Sequence, residues 1–401
     1  MLNLPSPVRL VRIDADSEIN DVDLDVKVGH RLWVEVLKSG QVLGVVERTA
    51  DERGMSKSMV EEVVRGYVDI EPLPVSGFPD SSLPRASVVV CTIYQRVEHL
   101  RRTIESILAL DYPDYEIIVV DNRVGAHASI PPFAGDERVK IVVEPIPGVS
   151  AARNCGFAES TGDFVAFTDD DVEVDPLWLR ALGAAFANDA SLDAIGGMVR
   201  PAELVTEPQL WFEEFYGGFT RSFEARQWSL DLVGGSDPMF PYSPGHFGAG
   251  CNMALRRTAL QRIGGFDERL GAGTPSTSGE DLKAFMEVVL TGGRVAYVPS
   301  ALVRHAHRRA QAEFKKQILG YGIGFAALFS SLIVEDPRHL WRIMKRVPLG
   351  LRLMLFPAGG RSPSVATSYP RWTQPVQMLG MAIGPLAFVR SAVRARKYRR
   401  T

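Results

Sequence analysis

Ten consecutive residues decide the fold: Gly162-Asp163-Phe164-Val165-Ala166-Phe167-Thr168-Asp169-Asp170-Asp171. The apolar run 164–167 predicts a buried strand, and an acidic triplet, Asp169 to Asp171, follows it. Because side chains at i and i+2 of an extended chain point to the same side, Asp169 and Asp171 are placed to bind one hard cation, with Asp170 turned elsewhere. Mg²⁺ favours one or two protein carboxylates plus substrate phosphates, so the pattern indicates a nucleotide diphosphate as ligand. The competing interpretation is an acidic turn that caps the next helix, which Asp175-Pro176 begins.

The flanking stretches predict an open α/β sheet, mostly parallel and flanked by helices. Further apolar strands are predicted at 87–91, 115–120 and 139–143, and helices at 97–110 and 150–160. Ligands of such sheets bind beyond the carboxyl ends of the strands, where Thr92, Asp121 and the acidic triplet fall. No glycine-rich loop follows the first strand. The dinucleotide-binding fingerprint is therefore missing.

Four parts are predicted along the chain. They are a small α+β accessory domain at 1–71, a Pro-rich linker at 72–85, a catalytic unit at 86–310 and a helical, basic region at 311–401. The catalytic unit is expected to divide into a nucleotide-binding half, 86–195, and an acceptor half, 196–310.

The C-terminal region is predicted to contain helices that do not cross a bilayer. The apolar stretch 318–334 has 17 residues and is interrupted by glycines and serines, so it predicts a buried helix. The stretch 376–389 is too short to span. Amphipathic, aromatic and cationic segments together favour a peripheral position on an anionic membrane surface. A helical subdomain packed on the catalytic unit and a homo-oligomer contact are the alternatives.

Composition places the chain among ordinary globular proteins. Of its 401 residues 46% are hydrophobic and 23% charged, and a net charge of −3 argues against a bulk nucleic-acid binder. The three cysteines lie far apart without CxxC spacing, which predicts reduced thiols. The first residues lack the apolar core of a signal peptide, so we expect a cytoplasmic protein, with the inner face of the cell membrane as its surface of contact.

Read in order, the motifs resemble the inverting nucleotide-sugar glycosyltransferases of family 2, which have the GT-A fold. The resemblance covers residues 87–308. Besides the acidic triplet it rests on Ser87-Val88-Val89-Val90-Cys91-Thr92 with Arg96, Glu116-Ile117-Ile118-Val119-Val120-Asp121-Asn122, Ala151-Ala152-Arg153-Asn154-Cys155-Gly156, Gly264-Gly265-Phe266-Asp267, Gly279-Glu280-Asp281-Leu282 and Arg304-His305.

The resemblance implies a UDP-, GDP- or dTDP-linked sugar as donor and a hydroxyl on a glycan or lipid-linked saccharide as acceptor. Asp121 would hydrogen-bond the nucleobase, Thr92 would lie beside the base, and Arg153 would face the base or the phosphates. Helix capping, a turn hydroxyl and a surface salt bridge are the respective structural alternatives. The donor-binding group also includes Arg96, Asp169, Asp170 and Gly250, whose missing side chain would let the backbone approach the sugar.

The resemblance also implies Mg²⁺ or Mn²⁺, with Asp171 as main ligand. Asp169 would contact the ribose or share the metal, and His305 matches a third ligand of some related enzymes, with His307 as the alternative. The pair Glu280-Asp281 resembles the acids that carry the general base of an inverting displacement. Asp281 is the expected base and Glu280 the first alternate, while two helix N-terminal acids favoured by the dipole are the structural alternative.

Two other functions remain open at the level of sequence. A processive polysaccharide synthase shares this catalytic unit, but Arg371-Trp372 lacks the glutamine of the Gln-x-x-Arg-Trp motif, which favours addition of a single sugar. A nonenzymatic scaffold on the same fold would not need acids at 169, 171, 280 and 281. The expected function is therefore a metal-dependent glycosyltransferase, as in the synthesis of cell-envelope polysaccharides.

Overall fold

The structure, a computed structural model, describes residues 8–52, 54–72, 75, 77–125, 136–216, 218–219, 222–232, 237–355 and 370–398. Its strands are β1 (Arg9–Asp14), β2 (Val22–Asp23), β3 (Arg31–Lys38), β4 (Gln41–Thr49), β5 (Gly54–Met55), β6 (Ala86–Thr92), β7 (Tyr115–Asp121), β8 (Val139–Val143), β9 (Phe164–Asp169), β10 (Val172–Val174), β11 (Leu192–Pro201), β12 (Arg226–Trp228), β13 (Asn252–Arg256) and β14 (Arg294–His305). Its helices are α1 (Lys57–Arg65), α2 (Val97–Leu108), α3 (Val149–Glu159), α4 (Trp178–Asn188), α5 (Glu207–Tyr216), α6 (Arg257–Ile263), α7 (Glu280–Leu290), α8 (Gln311–Glu335), α9 (Arg338–Met344), α10 (Val347–Leu355) and α11 (Thr373–Tyr398).

A large central sheet flanked by helices confirms the predicted α/β class. Its order is β10-β14-β11-β13-β9-β6-β7-β8, with β12 paired to β14. The strands β9, β6, β7 and β8 are parallel, as the continuous apolar runs predict for strands covered on both faces. Antiparallel pairing enters in the second half, where β13 lies between β9 and β11.

The register of the strands brings the predicted site residues to one edge. Thr92 is paired with Asp121 across β6 and β7, and Cys91 is paired with Asp169 across β6 and β9. At the far end of the sheet the antiparallel strands β10 and β14 pair Val172 with His305. Segments that are distant in sequence therefore deliver the acidic triplet and His305 to the same edge.

The N-terminal residues form a separate three-stranded sheet, with order β1-β3-β4 and its own apolar core. This unit packs against the central sheet through Val42, which shares a buried cluster with Met198, Tyr297 and Leu302. The first unit is therefore in direct contact with β14, the strand paired with β10, and with β11 beyond it.

The C-terminal helices are longer than predicted. Helices α8 and α11 have 25 and 26 residues, and both are long and apolar enough by composition to cross a membrane. The stretch 376–389, expected to be too short to span a bilayer, lies inside α11, which continues through Gly384 and Pro385 to Tyr398. Gly322 shows why α8 contains glycine. A Cβ at this position would lie 2.2 Å from the Gln377 carbonyl oxygen, because the backbones of α8 and α11 are in direct contact there.

Candidate active site

The acidic triplet ends β9, and its three carboxylates have three different partners. Arg153 Nη2 lies 3.3 Å from Asp169 Oδ1, Thr92 Oγ1 donates to Asp170 Oδ2 at 2.6 Å, and Arg96 Nη1 donates to Asp171 Oδ2 at 2.8 Å. Helix α4 begins only at Trp178, with no side-chain cap. The interpretation of the triplet as a helix cap was therefore wrong, and Asp170 does point away from its neighbours.

Cations and a histidine surround Asp171. Its carboxylate is 6% exposed and faces His305 Nε2 at 3.3 Å and Arg308 Nη1 at 3.6 Å, in addition to Arg96. Arg308 was not among the residues predicted from the sequence. Its position three residues after His305, a candidate metal ligand, could have indicated that it belongs to the site. Because several positive groups meet at this one buried acid, the surroundings of Asp171 are suited to a ligand with concentrated negative charge.

Ligand atoms of Asp169, Cys251 and His305 lie within 4.8 Å of one another. Carboxylate oxygens suit Mg²⁺ and Mn²⁺, whereas a sulfur ligand suits softer metals. Burial raises the pKa of the Cys251 thiol well above its ordinary value, which keeps the thiol protonated and a poor ligand. Burial also lowers the pKa of His305, which favours the neutral imidazole that metals bind. Of this group, the Asp169 carboxylate and the His305 imidazole are therefore the donors that fit Mg²⁺ or Mn²⁺. Asp171 Oδ1 lies 3.3 Å from His305 Nε2 and is the neighbouring carboxylate.

Arg153 is the centre of a second cluster on the other side of Asp169. Its guanidinium is 3% exposed and donates to Glu280 Oε1 at 2.8 Å and to the Gly250 carbonyl at 3.2 Å. Gly250 N in turn donates to Asp281 Oδ2 at 2.7 Å. A Cβ on Gly250 would lie 2.8 Å from Arg153 Nη2 and 3.0 Å from Asp281 Oδ2. The close approach at Gly250 in this structure is therefore to these two side chains.

Glu280 and Asp281 occupy the first turn of α7 but differ in environment. Glu280 is 7% exposed, and among the described residues its Oε2 has no hydrogen-bond partner. Burial, and after it the charge of Asp281, raises the pKa of Glu280 despite the nearby Arg153. Asp281 is only partly buried, and its Oδ1 accepts from Leu282 N at 2.8 Å.

The loop 271–279 before this pair is packed against the C-terminal helices. Ser276 Oγ hydrogen-bonds Ser391 Oγ at 2.9 Å, and Thr277 Oγ1 donates to the Gly320 carbonyl at 2.9 Å. Arg394 of α11 donates to the carbonyls of Gly273 and Pro147 at 2.6 and 3.2 Å. Helices α8 and α11 thus hold the loop in place, and the sequence patterns did not predict these contacts.

Asp121 ends β7, as predicted, and is held by a residue that the sequence analysis missed. Arg123 Nη2 donates to Asp121 Oδ2 at 2.6 Å, and Arg123 Nε lies 2.9 Å from Oδ1. The same guanidinium lies 4.3 Å from the centre of the Tyr94 ring. Arg123 follows Asp121 by two residues, and this spacing could have predicted their ion pair from the sequence.

A cleft of about 350 Å³ opens beside Asp171. Its wall is highly charged and consists of Arg96, Glu98, His99, Arg102, Glu203, Ala306, His307, Arg308, Arg309 and Glu313. Arg96 and Arg308 belong both to this wall and to the surroundings of Asp171, so the cleft lies next to that carboxylate.

Comparison with known proteins shows what the central unit is similar to. Residues 87–264 match the family model described as glycosyl transferase family 2. The chain is 29% identical over 252 residues to the pre-mycofactocin glycosyltransferase of Mycobacterium tuberculosis. The aligned region covers 62% of this chain and 49% of that protein. It is also 29% identical over 239 residues to the glucosyl-dolichyl phosphate glucuronosyltransferase of Haloferax volcanii, covering 57% of this chain and 72% of that protein.

The match therefore spans about half the length of the mycobacterial relative. Among solved structures, the mannosyltransferase PcManGT of Pyrobaculum calidifontis, in complex with GDP-Man and Mn²⁺, is 18% identical with a TM-score of 0.43, covering 84% of this chain and 81% of that one. The family match and the glycosyltransferase relatives agree with the α/β fold and with the motifs at the sheet edge. Over residues 87–264 the chain is therefore similar to the glycosyl transferases of family 2.

Proposed function

We propose that the chain is a metal-dependent inverting glycosyltransferase that moves one sugar from a nucleoside-diphosphate sugar to a hydroxyl acceptor. One observation carries the proposal: Asp169 and His305 lie together at the carboxyl edge of the sheet with Asp171 next to His305, and Arg153 joins Asp169 to Glu280. Donor ligands for a cation and a candidate base thus belong to one buried network.

The donor would lie along this edge. The carboxylate of Asp121 suits an imide N–H such as that of uracil or thymine, and Thr92 lies next to it in register. Arg96 and Arg308 offer charge-assisted hydrogen bonds to a diphosphate near Asp171. Asp170, bonded to Thr92, supports this wall of the donor site.

Asp169, Asp171 and His305 would hold the divalent cation. The imidazole favours Mn²⁺ over Mg²⁺, because Mg²⁺ is bound almost entirely through oxygen. When bound, the ion supplies positive charge for the leaving diphosphate. His307 fits the role of ligand less well, because its Nε2 is engaged with Glu213 at 2.7 Å.

Asp281 acts as the general base in this proposal. Its carboxylate takes the proton of the acceptor hydroxyl while the acceptor oxygen forms a bond to the anomeric carbon. The bond from that carbon to the diphosphate oxygen breaks, its electron pair leaves with the nucleoside diphosphate, and the anomeric configuration inverts. Gly250 N and Leu282 N fix the carboxylate without using all of its lone pairs.

The first test is a screen of UDP-, GDP- and dTDP-linked sugars with the full chain, with and without Mn²⁺. A donor at 100 times its Kd stabilises by about 2.7 kcal/mol, so we expect one nucleotide class to raise Tm by roughly 5 °C in Mn²⁺. Slow release of nucleoside diphosphate should accompany it. If no sugar nucleotide raises Tm or is hydrolysed, a scaffold function is the better conclusion. Products longer than one added sugar would indicate a processive synthase.

The exposed face of α11 is suited to contact with a membrane surface, and an enzyme at that surface would act on a lipid-linked acceptor. Over residues 375–389 the exposed positions of this helix carry only apolar side chains, at helical spacing: Pro375, Met378, Leu379, Ala382, Ile383, Pro385, Leu386 and Val389. Exposed cations, Arg390, Arg396 and Lys397, follow them along the helix. An apolar face that ends in cations is complementary to an anionic bilayer.

Helix α9 carries a second exposed surface of apolar and cationic side chains, and the inner face of α11 contacts the loop that precedes Asp281. Trp341 is 66% exposed and Leu340 50%, with the exposed cations Arg342 and Lys345 beside them. The opposite face of α11 holds the loop before Asp281 through Ser391. A membrane position would therefore bring a lipid-linked hydroxyl close to the base, and one relative is named for transfer to a glucosyl-dolichyl phosphate.

Vesicle binding tests this membrane surface. Replacing Leu386 and Val393 by Asp should weaken co-sedimentation with phosphatidylglycerol vesicles roughly 100-fold or more, because each apolar side chain contributes about 1.5–3 kcal/mol when buried. Val28→Asp is the matched control, since Val28 is 67% exposed on the N-terminal unit. Unchanged binding of the double variant would contradict the proposed surface. Resistance of the wild type to alkaline extraction would instead indicate helices that span the bilayer.

A further inference from the structure

A buried series of charged side chains connects the N-terminal unit to the candidate metal site. It begins at Glu35 on β3, which is completely buried. Arg200 Nε donates to Glu35 Oε1 at 2.8 Å and Arg304 Nη1 donates to Oε2 at 2.7 Å, with Arg12 Nε at 3.4 Å. Arg200 lies on β11 and Arg304 on β14, directly before His305. A single carboxylate of the first unit is thus paired with two arginines of the central sheet.

The series continues from Arg200 to the histidines. Arg200 Nη1 lies 3.6 Å from Glu213 Oε2, and Glu213 Oε1 lies 2.7 Å from His307 Nε2. His307 Nδ1 is then 3.3 Å from His305 Nδ1. All four side chains are at most 7% exposed, so water does not replace these contacts. The arrangement leads from Glu35 to His305 through residues 200, 213 and 307.

These contacts fix which ring nitrogen of His305 faces the carboxylates. A carboxylate oxygen of Glu213 accepts, so the 2.7 Å contact puts a hydrogen on His307 Nε2; in the tautomer with that single hydrogen, His307 Nδ1 is an acceptor. His305 Nδ1 must then be the donor between the two rings. The lone pair of neutral His305 therefore resides on Nε2, the nitrogen that lies 3.3 Å from Asp171 Oδ1.

Two acceptors that face each other at this distance repel unless a cation lies between or beside them. That is the environment which a metal ligand requires, and metal-binding histidines commonly donate their other N–H to a partner that fixes the ring. A purely structural role is the competing explanation: Glu35 would only attach the first unit, as Val42 does through apolar contact with Met198 and Tyr297.

We propose that the N-terminal unit is an integral part of the metal site, because Glu35, through Arg200, Glu213 and His307, holds His305 with Nε2 directed at the ion. Glu35, Glu213 and His307 are positioning residues in this proposal. The inference rests on the proposed function, which supplies the ion, and it assigns to residues outside the region similar to family 2 a role in the chemistry of that region.

The experiment measures Mn²⁺ affinity of the full chain by electron paramagnetic resonance, without any activity assay. Glu213→Gln should raise the Kd for Mn²⁺ by roughly 10- to 100-fold, the usual effect of removing a partner that orients a ligand. Glu35→Gln should raise it in the same direction, and Glu35→Asp, which keeps the charge, should restore part of the affinity. Val42→Ala weakens the same interface without altering a charge and should leave the Kd for Mn²⁺ at the wild-type value.

A second measurement separates positioning from stability. In ¹⁵N-histidine spectra of the metal-free protein, His305 should carry its hydrogen on Nδ1 in the wild type and lose that preference in Glu213→Gln. If Glu35→Gln does not fold, Glu35→Asp measured against Val42→Ala decides for the N-terminal unit: a Kd for Mn²⁺ equal to that of Val42→Ala would overturn its role. Variants that bind Mn²⁺ as tightly as the wild type would overturn this inference alone, whereas a wild type that does not bind Mn²⁺ would overturn the proposed function as well.

Discussion

Replacing Asp171 by Asn should reduce glycosyl transfer by about 10³-fold or more. A bound divalent ion contributes several kcal/mol to stabilising charge in the transition state, and about 1.4 kcal/mol corresponds to a factor of ten in rate. Asp171 is the acid with the most complete set of partners for this role, since Arg96, His305 and Arg308 all face it. The Kd for Mn²⁺ should rise by at least roughly 100-fold, because even groups that only orient a ligand contribute 10- to 100-fold.

The fold should survive this change. Arg96, the closest partner of Asp171, has a side chain that is 31% exposed, so water can solvate it when the carboxylate is lost. Glu173→Gln is the matched control, because Glu173 is an exposed acid two residues further along the chain. Transfer that is independent of Mn²⁺, or an Asp171→Asn variant with more than a tenth of wild-type activity, would contradict the assignment.

The parallel half of the sheet was predictable because its signal is local. Each buried strand is a continuous apolar run, and the carboxyl ends of parallel strands meet at one edge. Given β6, β7 and β9, the proximity of Thr92, Asp121 and Asp169 follows from register alone. The same reasoning placed the acidic triplet at the edge but did not identify its partners.

Those partners do not follow from strand register because they depend on antiparallel strands and on long separations in sequence. His305 was expected near Asp171 only through the family resemblance. His305 approaches Asp171 only because β14 pairs with β10, and Glu213 reaches His307 across 94 residues. A glutamate in an aromatic-rich helix carries no local signal for such a contact. Helix α8 was predicted as a buried helix in spite of its glycines. Its partner was not predicted, because sequence periodicity does not reveal that Gly322 makes a close contact with α11.

Replacing Asp281 by Asn should lower the rate of transfer by roughly 10²- to 10⁴-fold, the usual contribution of a general base. The KM for the donor and the affinity for Mn²⁺ should change little, because Asp281 contacts Gly250 N and Leu282 N rather than the candidate metal ligands. The measurement is steady-state kinetics with the donor identified in the screen and a simple hydroxyl acceptor.

Glu280→Gln is the informative comparison, since both acids stand at the start of α7. Glu280 is 7% exposed and paired with Arg153, and burial raises its pKa, so its loss should disturb donor binding by releasing Arg153. We therefore expect a higher donor KM in Glu280→Gln and a lower kcat in Asp281→Asn. The reverse pattern would assign the base to Glu280. Because a base must reach an acceptor that arrives from solvent, the more exposed carboxylate of the pair is the one that the geometry favours.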